Sequence, residues 1–238
     1  MKKILILSAL DPSGGAGMAA DLKTAHSIGV YPCPIITALT YQNTCVVKGV
    51  FELDLNVVKN QILAVLDDIK ADIAKAGAFV KSDCAKFLEE FDVSLIYDPV
   101  IGSTSGFKFS DVDECIEVAK HCSVITPNVN EAKAICEKLN VKYFNEEDMC
   151  EAIYDELGCY VVITGKIDVA YDGKKIKKIS AKHSGVEVHG TGCVYSTALA
   201  CYMIDFSFFE AINLAKEFVS KAATNALSIG KCLPVVNC

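Results

Sequence analysis

Two glycine-rich turns in this sequence each lead into a helix, and they are where chemistry would concentrate. In "HGTGCVYS" (189–196) two glycines bracket Thr191, Cys193 follows, and an apolar helical stretch begins. Such a turn aims the unpaired N–H groups of Gly190, Thr191 and Gly192 at one point, with the positive end of the helix dipole behind them. That is an anion site. A helix N-terminus also lowers a thiol pKa, so Cys193 reads either as a reactive thiol or as one more packed cysteine. The second turn is "DPSGGAG" (11–17), where Gly14 and Gly15 let a ligand approach the backbone. The helix after it carries Asp21, which taken alone is a solvated first-turn residue favoured by the dipole. In "TPNVNEA" (126–132), Asn128 and Glu131 stand three apart at the start of a helix and spell a capping box.

These residues need elements to hold them. Segments 4–10, 33–39, 72–78, 93–98, 122–127 and 159–164 have the length and β-branching of buried strands. Helical patterns lie between them. In 54–69, Val58, Ile62, Val65, Leu66 and Ile69 form a 3.6-residue stripe. Asn145 with Asp148 imitates a capping box, and Gly158 supplies the stop. A last helix over about 208–228 buries Phe208, Ile212, Ala215, Val219, Ala222 and Ala226. Alternation of this kind predicts an α/β fold in one domain spanning 1–238, with a mostly parallel sheet covered on both faces. Asp172-Gly173, within 169–182, predicts a hairpin forming an antiparallel edge. Ligands of such sheets bind at the carboxyl ends of the strands, where both glycine turns fall.

The composition narrows the function classes. Among 238 residues, 30 acidic side chains exceed 23 basic ones, a formal charge of −7 that disfavours nucleic acid as a partner. Twelve cysteines are scattered with no C-x-x-C pair, several within apolar helical patterns, which predicts a reduced cytoplasmic protein. The opening "MKKILILSAL" reads as a buried first strand rather than a signal peptide, because its apolar run is short and lacks a cleavage site. The longest near-apolar run, Cys193 to Ile204, is well short of the roughly 20 residues that cross a bilayer, so no membrane span is expected.

Taken in order, "LDPSGGAGMAADLKT", "TALTYQNT", "DPVI", "TPNVNEA" and "HGTGC" resemble the hydroxymethylpyrimidine and phosphomethylpyrimidine kinases of thiamine synthesis, over essentially the whole chain. The resemblance implies a ribokinase-like three-layer α/β/α sandwich. It also implies ATP and Mg²⁺ as cofactors, 4-amino-5-hydroxymethyl-2-methylpyrimidine and its monophosphate as substrates, and a homodimer. By the same resemblance Cys193 acts as base toward the substrate hydroxyl while the Gly190–Gly192 N–H groups hold the transferring phosphoryl. Asp21 and Gln42 bind the aminopyrimidine, beside Gly14, Gly15, Ala78 and Val100. Asn128 and Glu131 organise magnesium, and Asp98 shares its environment; a plain helix cap at Asn128 is compatible with that role.

The chain also departs from the family. "KAGAF" puts Ala78 where a methionine is usual, and "ITGK" puts Thr164 where a lysine reaches the nucleotide phosphates, with Lys166 as a shifted substitute. The ending "LPVVNC" lacks a histidine often found there, and His189 shapes the anion turn more than it titrates. A pyridoxal or pyridoxine kinase is the nearest enzymatic alternative, with Gln42 as discriminator. A pyrimidine-binding sensor without turnover is the alternative from another class, motivated by Thr164.

Overall fold

The structure, a computed structural model, describes residues 1–102, 107–181 and 188–238. Among the described residues nine strands form one sheet in the order β3-β2-β1-β4-β5-β6-β7-β8-β9. β1 (Lys3–Leu10), β2 (Tyr31–Gln42), β4 (Ile73–Ala76), β5 (Leu95–Tyr97), β6 (Val124–Ile125) and β7 (Tyr160–Ile163) run parallel. Their β-branched runs are sealed on both faces, as Ile4, Leu5, Ile6 and Leu7 show at 0% exposure.

Helices cover the two faces unequally. α1 (Gly17–Ile28), α7 (Thr191–Met203) and α8 (Phe208–Thr224) pack on one face against Ile4, Ile6 and Ile73. α2 (Leu55–Leu66), α3 (Ser82–Glu89), α4 (Val112–Ala119), α5 (Val129–Leu139) and α6 (Glu146–Leu157) pack on the other, against Leu5, Leu7 and Val161. α7 is apolar nearly all round because the sheet, α1 and α8 enclose it; Val194 to Cys201 are all buried.

The predicted hairpin is present as β8 (Ile167–Tyr171) and β9 (Ile176–Ser180), with Asp172 Oδ1 accepting from the Lys174 and Lys175 N–H groups. Its predicted end, Lys182, lies outside the described residues. An antiparallel strand at the opposite edge, β3 (Val47–Glu52), was not predicted. Lys48 and Gly49 break the apolar pattern, and the strand exists by pairing with β2, where Leu39 opposes Phe51.

Three further expectations change. Asp148 accepts from the Phe144 N–H instead of completing a box with Asn145, whose side chain caps α6 by accepting from the Glu147 and Asp148 N–H groups. α8 stops at Thr224, short of 228, because the chain turns back to pair Leu227 with Val235. The protein is not fully reduced: Cys45, in the β2–β3 turn, is joined to Cys232 in the C-terminal segment. The two are 187 residues apart and meet only through the fold, where Gly230 packs on Thr44 so closely that a Cβ would fall 2.2 Å from its hydroxyl.

Candidate active site

A cavity of about 610 Å³ opens where the parallel strands end. The two glycine turns meet at its floor. Gly190 has φ 91° and a Cβ there would lie 1.9 Å from the Gly15 carbonyl oxygen, so only glycine lets the turns stack. Asp11 folds the first turn by accepting from the Ser13 and Ala16 N–H groups, at 2.8 and 2.9 Å. α1 and α7 therefore start side by side, with Gly17 and Cys193 in their first turns. The Gly17 N–H donates to the Cys193 sulfur.

The surroundings of Cys193 reverse the expected shift. Burial pushes its thiol up to about 12; Asp21 and Asp98 push the same way, and Lys75 and the Gly17 N–H only partly oppose them. Cys193 thus holds its proton at neutral pH and donates toward Asp98. Asp98, itself buried, also accepts from Ser196 Oγ at 3.2 Å. Burial raises the Asp98 pKa, against the pull of Lys75.

One turn deeper the structure corrects the reading of Asp21. This side chain is sealed in the core, not on the cavity wall. Its carboxylate accepts from Lys75 Nζ at 3.1 and 3.0 Å and from Thr197 Oγ1 at 2.8 Å. Asp21 is one turn beyond Gly17 and Thr197 one turn beyond Cys193, so the same helix pairing that builds the floor buries this cluster. Burial would strip the Lys75 proton, but Asp21, Cys193 and Asp98 outweigh it and raise its pKa. Gly14 and Gly15 also lie off the cavity: Ala16 and Gly17 of the same turn line it instead, while the Gly14 carbonyl accepts from Lys23 and Gly15 backs onto Gly190.

The other expected residues line the cavity together: Gln42, Ala78, Asp98, Val100, Asn128, Glu131, Thr164, Lys166 and Gly190 to Cys193. Gln42 Nε2 lies 3.0 Å from His189 Nε2, which is 3.3 Å from Asp11 Oδ2. Burial disfavours the Asp11 carboxylate, but hydrogen bonds from His189 and Ser13 prevail and its pKa falls below the ordinary value. This wall orients the Gln42 carboxamide.

At the opposite end, Asn128 and Glu131 form the capping box: Asn128 Oδ1 accepts from the Glu131 N–H at 3.0 Å, and Glu131 accepts from the Asn128 N–H at 2.9 Å. Burial, reinforced by Asp98, pushes Glu131 up to about 8. Among the described residues no group of three or more His, Cys, Asp or Glu forms a metal cluster. A buried and a half-buried carboxylate that repel one another still suit magnesium, which takes one or two protein carboxylates and completes its shell with water and phosphate oxygen. Asp98 and Glu131 fit that need, with Glu131, like Asn128, also engaged in the cap.

Sequence reasoning missed Lys216. It projects from α8 into the cavity near Thr164 and Lys166, held by the Gly165 carbonyl at 2.6 Å and Asp168 at 2.7 Å. Its position beside Ala215 on the buried stripe of α8 was the available signal.

A family model described as phosphomethylpyrimidine kinase matches residues 11–237. The chain belongs to the phosphomethylpyrimidine kinase family. It is 37% identical to the bifunctional thiamine biosynthesis protein ThiDN of Methanocaldococcus jannaschii over 91% of its length, and spans 52% of that longer protein. It is 34% identical to the hydroxymethylpyrimidine/phosphomethylpyrimidine kinase of Aquifex aeolicus, covering 95% of this chain and 96% of that one. An ADP complex of Bacillus subtilis pyridoxal kinase shares the ribokinase-like fold, with TM-score 0.84, 26% identity and coverage of 100% and 97%. Members of this family are phosphotransferases, and the chain is a kinase of that kind.

Proposed function

We propose that the chain moves the γ-phosphoryl of ATP to the hydroxymethyl group of 4-amino-5-hydroxymethyl-2-methylpyrimidine, and then a second phosphoryl to the monophosphate, for thiamine biosynthesis. The observation that carries this reading is the convergence of the Gly190–Gly192 turn, Cys193 and the Gln42–His189 wall in one cavity. The backbone N–H groups of the turn hold charge on the transferring phosphoryl. Gln42, oriented by His189, pairs with the aminopyrimidine edge as both donor and acceptor. Lys166, Lys216 and Thr164 receive the nucleotide phosphates, with Lys216 supplying the cation that Thr164 lacks. Asp98 and Glu131 would hold magnesium, which when bound neutralises phosphate charge.

Cys193 stands beside the acceptor hydroxyl as a thiol rather than a preformed thiolate. The second nucleophile is already an anion, so Cys193→Ala should slow the first transfer about tenfold or more and the second much less, read by single-step rates. Phosphorus NMR with magnesium-ATP tests the whole reading: monophosphate followed by diphosphate from the pyrimidine supports it. Product from pyridoxal alone favours a vitamin B6 kinase, a reading supported by Ala78 widening the wall where a methionine is usual. No product from either favours a sensor.

A cytoplasmic homodimer completes the proposal. Leu39, Tyr41 and Phe51 are 40%, 58% and 55% exposed on the β2–β3 ribbon, an apolar face suited to a second copy. Among the described residues no helix is long and apolar enough to cross a membrane, and the acidic charge argues against nucleic acid. Sedimentation of the wild type and of Phe51→Lys tests the dimer.

A further inference from the structure

We infer that the Cys45–Cys232 disulfide is a thiol-exchange site whose state sets acceptor binding; the inference rests on the kinase reading for its kinetic consequence. Both half-cystines are exposed, whereas the other ten cysteines are buried or half-buried. A thiol reagent therefore meets this bond first.

The bond joins two pieces of the cavity wall. Cys45 sits three residues beyond Gln42, and Cys232 immediately precedes Leu233; Gln42 and Leu233 both line the cavity. The β2–β3 turn is held locally, with Asn43 Oδ1 accepting from the Cys45 and Val46 N–H groups. The C-terminal segment is laced at its base, where Leu227 pairs with Val235 and the His189 N–H donates to the Pro234 carbonyl. Between those anchors, residues 228–233 form a tip outside any helix or strand. The disulfide and the Gly230–Thr44 packing fasten that tip to the turn.

Reduction balances with a small dithiol as the electron donor. One dithiol thiolate attacks a protein sulfur, forming a mixed disulfide and expelling the other cysteine as thiolate. The second dithiol thiolate then closes the reagent's own disulfide and releases the remaining cysteine. The protein gains two electrons and, from solvent, two protons. The tip is then held to the turn only by the Gly230–Thr44 packing, and the acceptor end loses its covalently fixed wall, so preorganisation falls at that end.

The test compares purified protein before and after dithiothreitol, with the bond counted by alkylation and mass. The expected result is ten alkylated cysteines before reduction under denaturing conditions and twelve after, matching the ten free thiols and one bond. The pyrimidine KM should rise about five- to tenfold, while the ATP KM and kcat stay constant. Cys45→Ser should carry the raised KM without reductant and be insensitive to it. Twelve alkylated cysteines before reduction, an unchanged pyrimidine KM after proven reduction, or the same reductant response in Cys45→Ser would each overturn the inference. Hydrogen exchange separates its failure from that of the kinase reading. Faster exchange in 43–46 and 228–233 on reduction is expected whatever the substrate, and unchanged exchange overturns the clamp, whereas no turnover in the oxidised wild type overturns the kinase reading.

Discussion

Among the described residues, two lysine–aspartate pairs lie near the cavity, one sealed and one half-buried, and they differ in what the lysine can reach. Lys75 and Asp21 are both 0% exposed, with Thr197 completing the carboxylate's partners. Lys216 keeps 14% of its side chain exposed, on the cavity wall, while its partner Asp168 is sealed. The first pair is enclosed by α1, α7 and β4, so its charge acts on ligands only through the field at Cys193 and Asp98. The second presents a cation held from behind, with the Gly165 carbonyl and Asp168 fixing its head and the Tyr195 hydroxyl facing the same carboxylate. A buried ion pair contributes little net stability, but removing one member leaves an uncompensated charge. The comparison therefore assigns the first pair to the framework and the second to ligand contact.

The largest effect should come from Lys75→Met, which strands the Asp21 carboxylate in the core. A loss of about 3–5 kcal/mol in urea unfolding is expected, and Lys75→Met with Asp21→Leu should recover much of it. A single variant within about 1 kcal/mol of wild type would break the comparison, because the sealed pair would then not behave as one.

Lys216→Met should act mainly on the nucleotide. The ATP KM is expected to rise about tenfold or more, as for loss of a charge-assisted hydrogen bond, with the pyrimidine KM little changed. Stability should fall less than for Lys75→Met, since water can reach the vacated side. Equal effects on both KM values would show that Lys216 shapes the cavity instead of contacting one ligand.

The smallest effect sharpens the role of Asp168. Burial raises its pKa above the ordinary 3.8, despite Lys216. The folded state thus binds a proton more tightly than the unfolded chain, so this contribution is present below about pH 4 and fades as pH rises through the folded value. Asp168→Asn should remove that slope, read as the difference in urea midpoint between acid and neutral pH. An unchanged slope would place the titration elsewhere.

Much of this was legible beforehand, for local reasons. The buried parallel strands declare themselves by continuous β-branched runs, the hairpin by Asp172-Gly173, and the α5 cap by Asn128 and Glu131, because each depends on neighbours within a few residues. β3 was not legible, since its apolar residues are organised by β2 rather than by their own period. Asp21 was misread because a carboxylate in a helix looks the same in sequence whether it meets solvent or a lysine 54 residues away. Lys216 was hidden for the same reason, its partner Asp168 lying 48 residues earlier.

The sequence by itself determined an α/β fold with two glycine turns feeding helices, because turn geometry, capping and strand burial are written in short-range residue order. Its ordered motifs carried the resemblance that implies a kinase. Only the tertiary structure decided the charge of the site. α1 and α7 had to pack with their N-termini together before Lys75, Asp21, Asp98 and Cys193 shared one desolvated environment, and that environment keeps the thiol protonated where the helix start alone would have ionised it. The Cys45–Cys232 bond belongs to the same class, since two exposed thiols 187 residues apart become neighbours only after the last helix turns the chain back. Long-range contacts set dielectric and distance, and those two quantities decide pKa, pairing and reach.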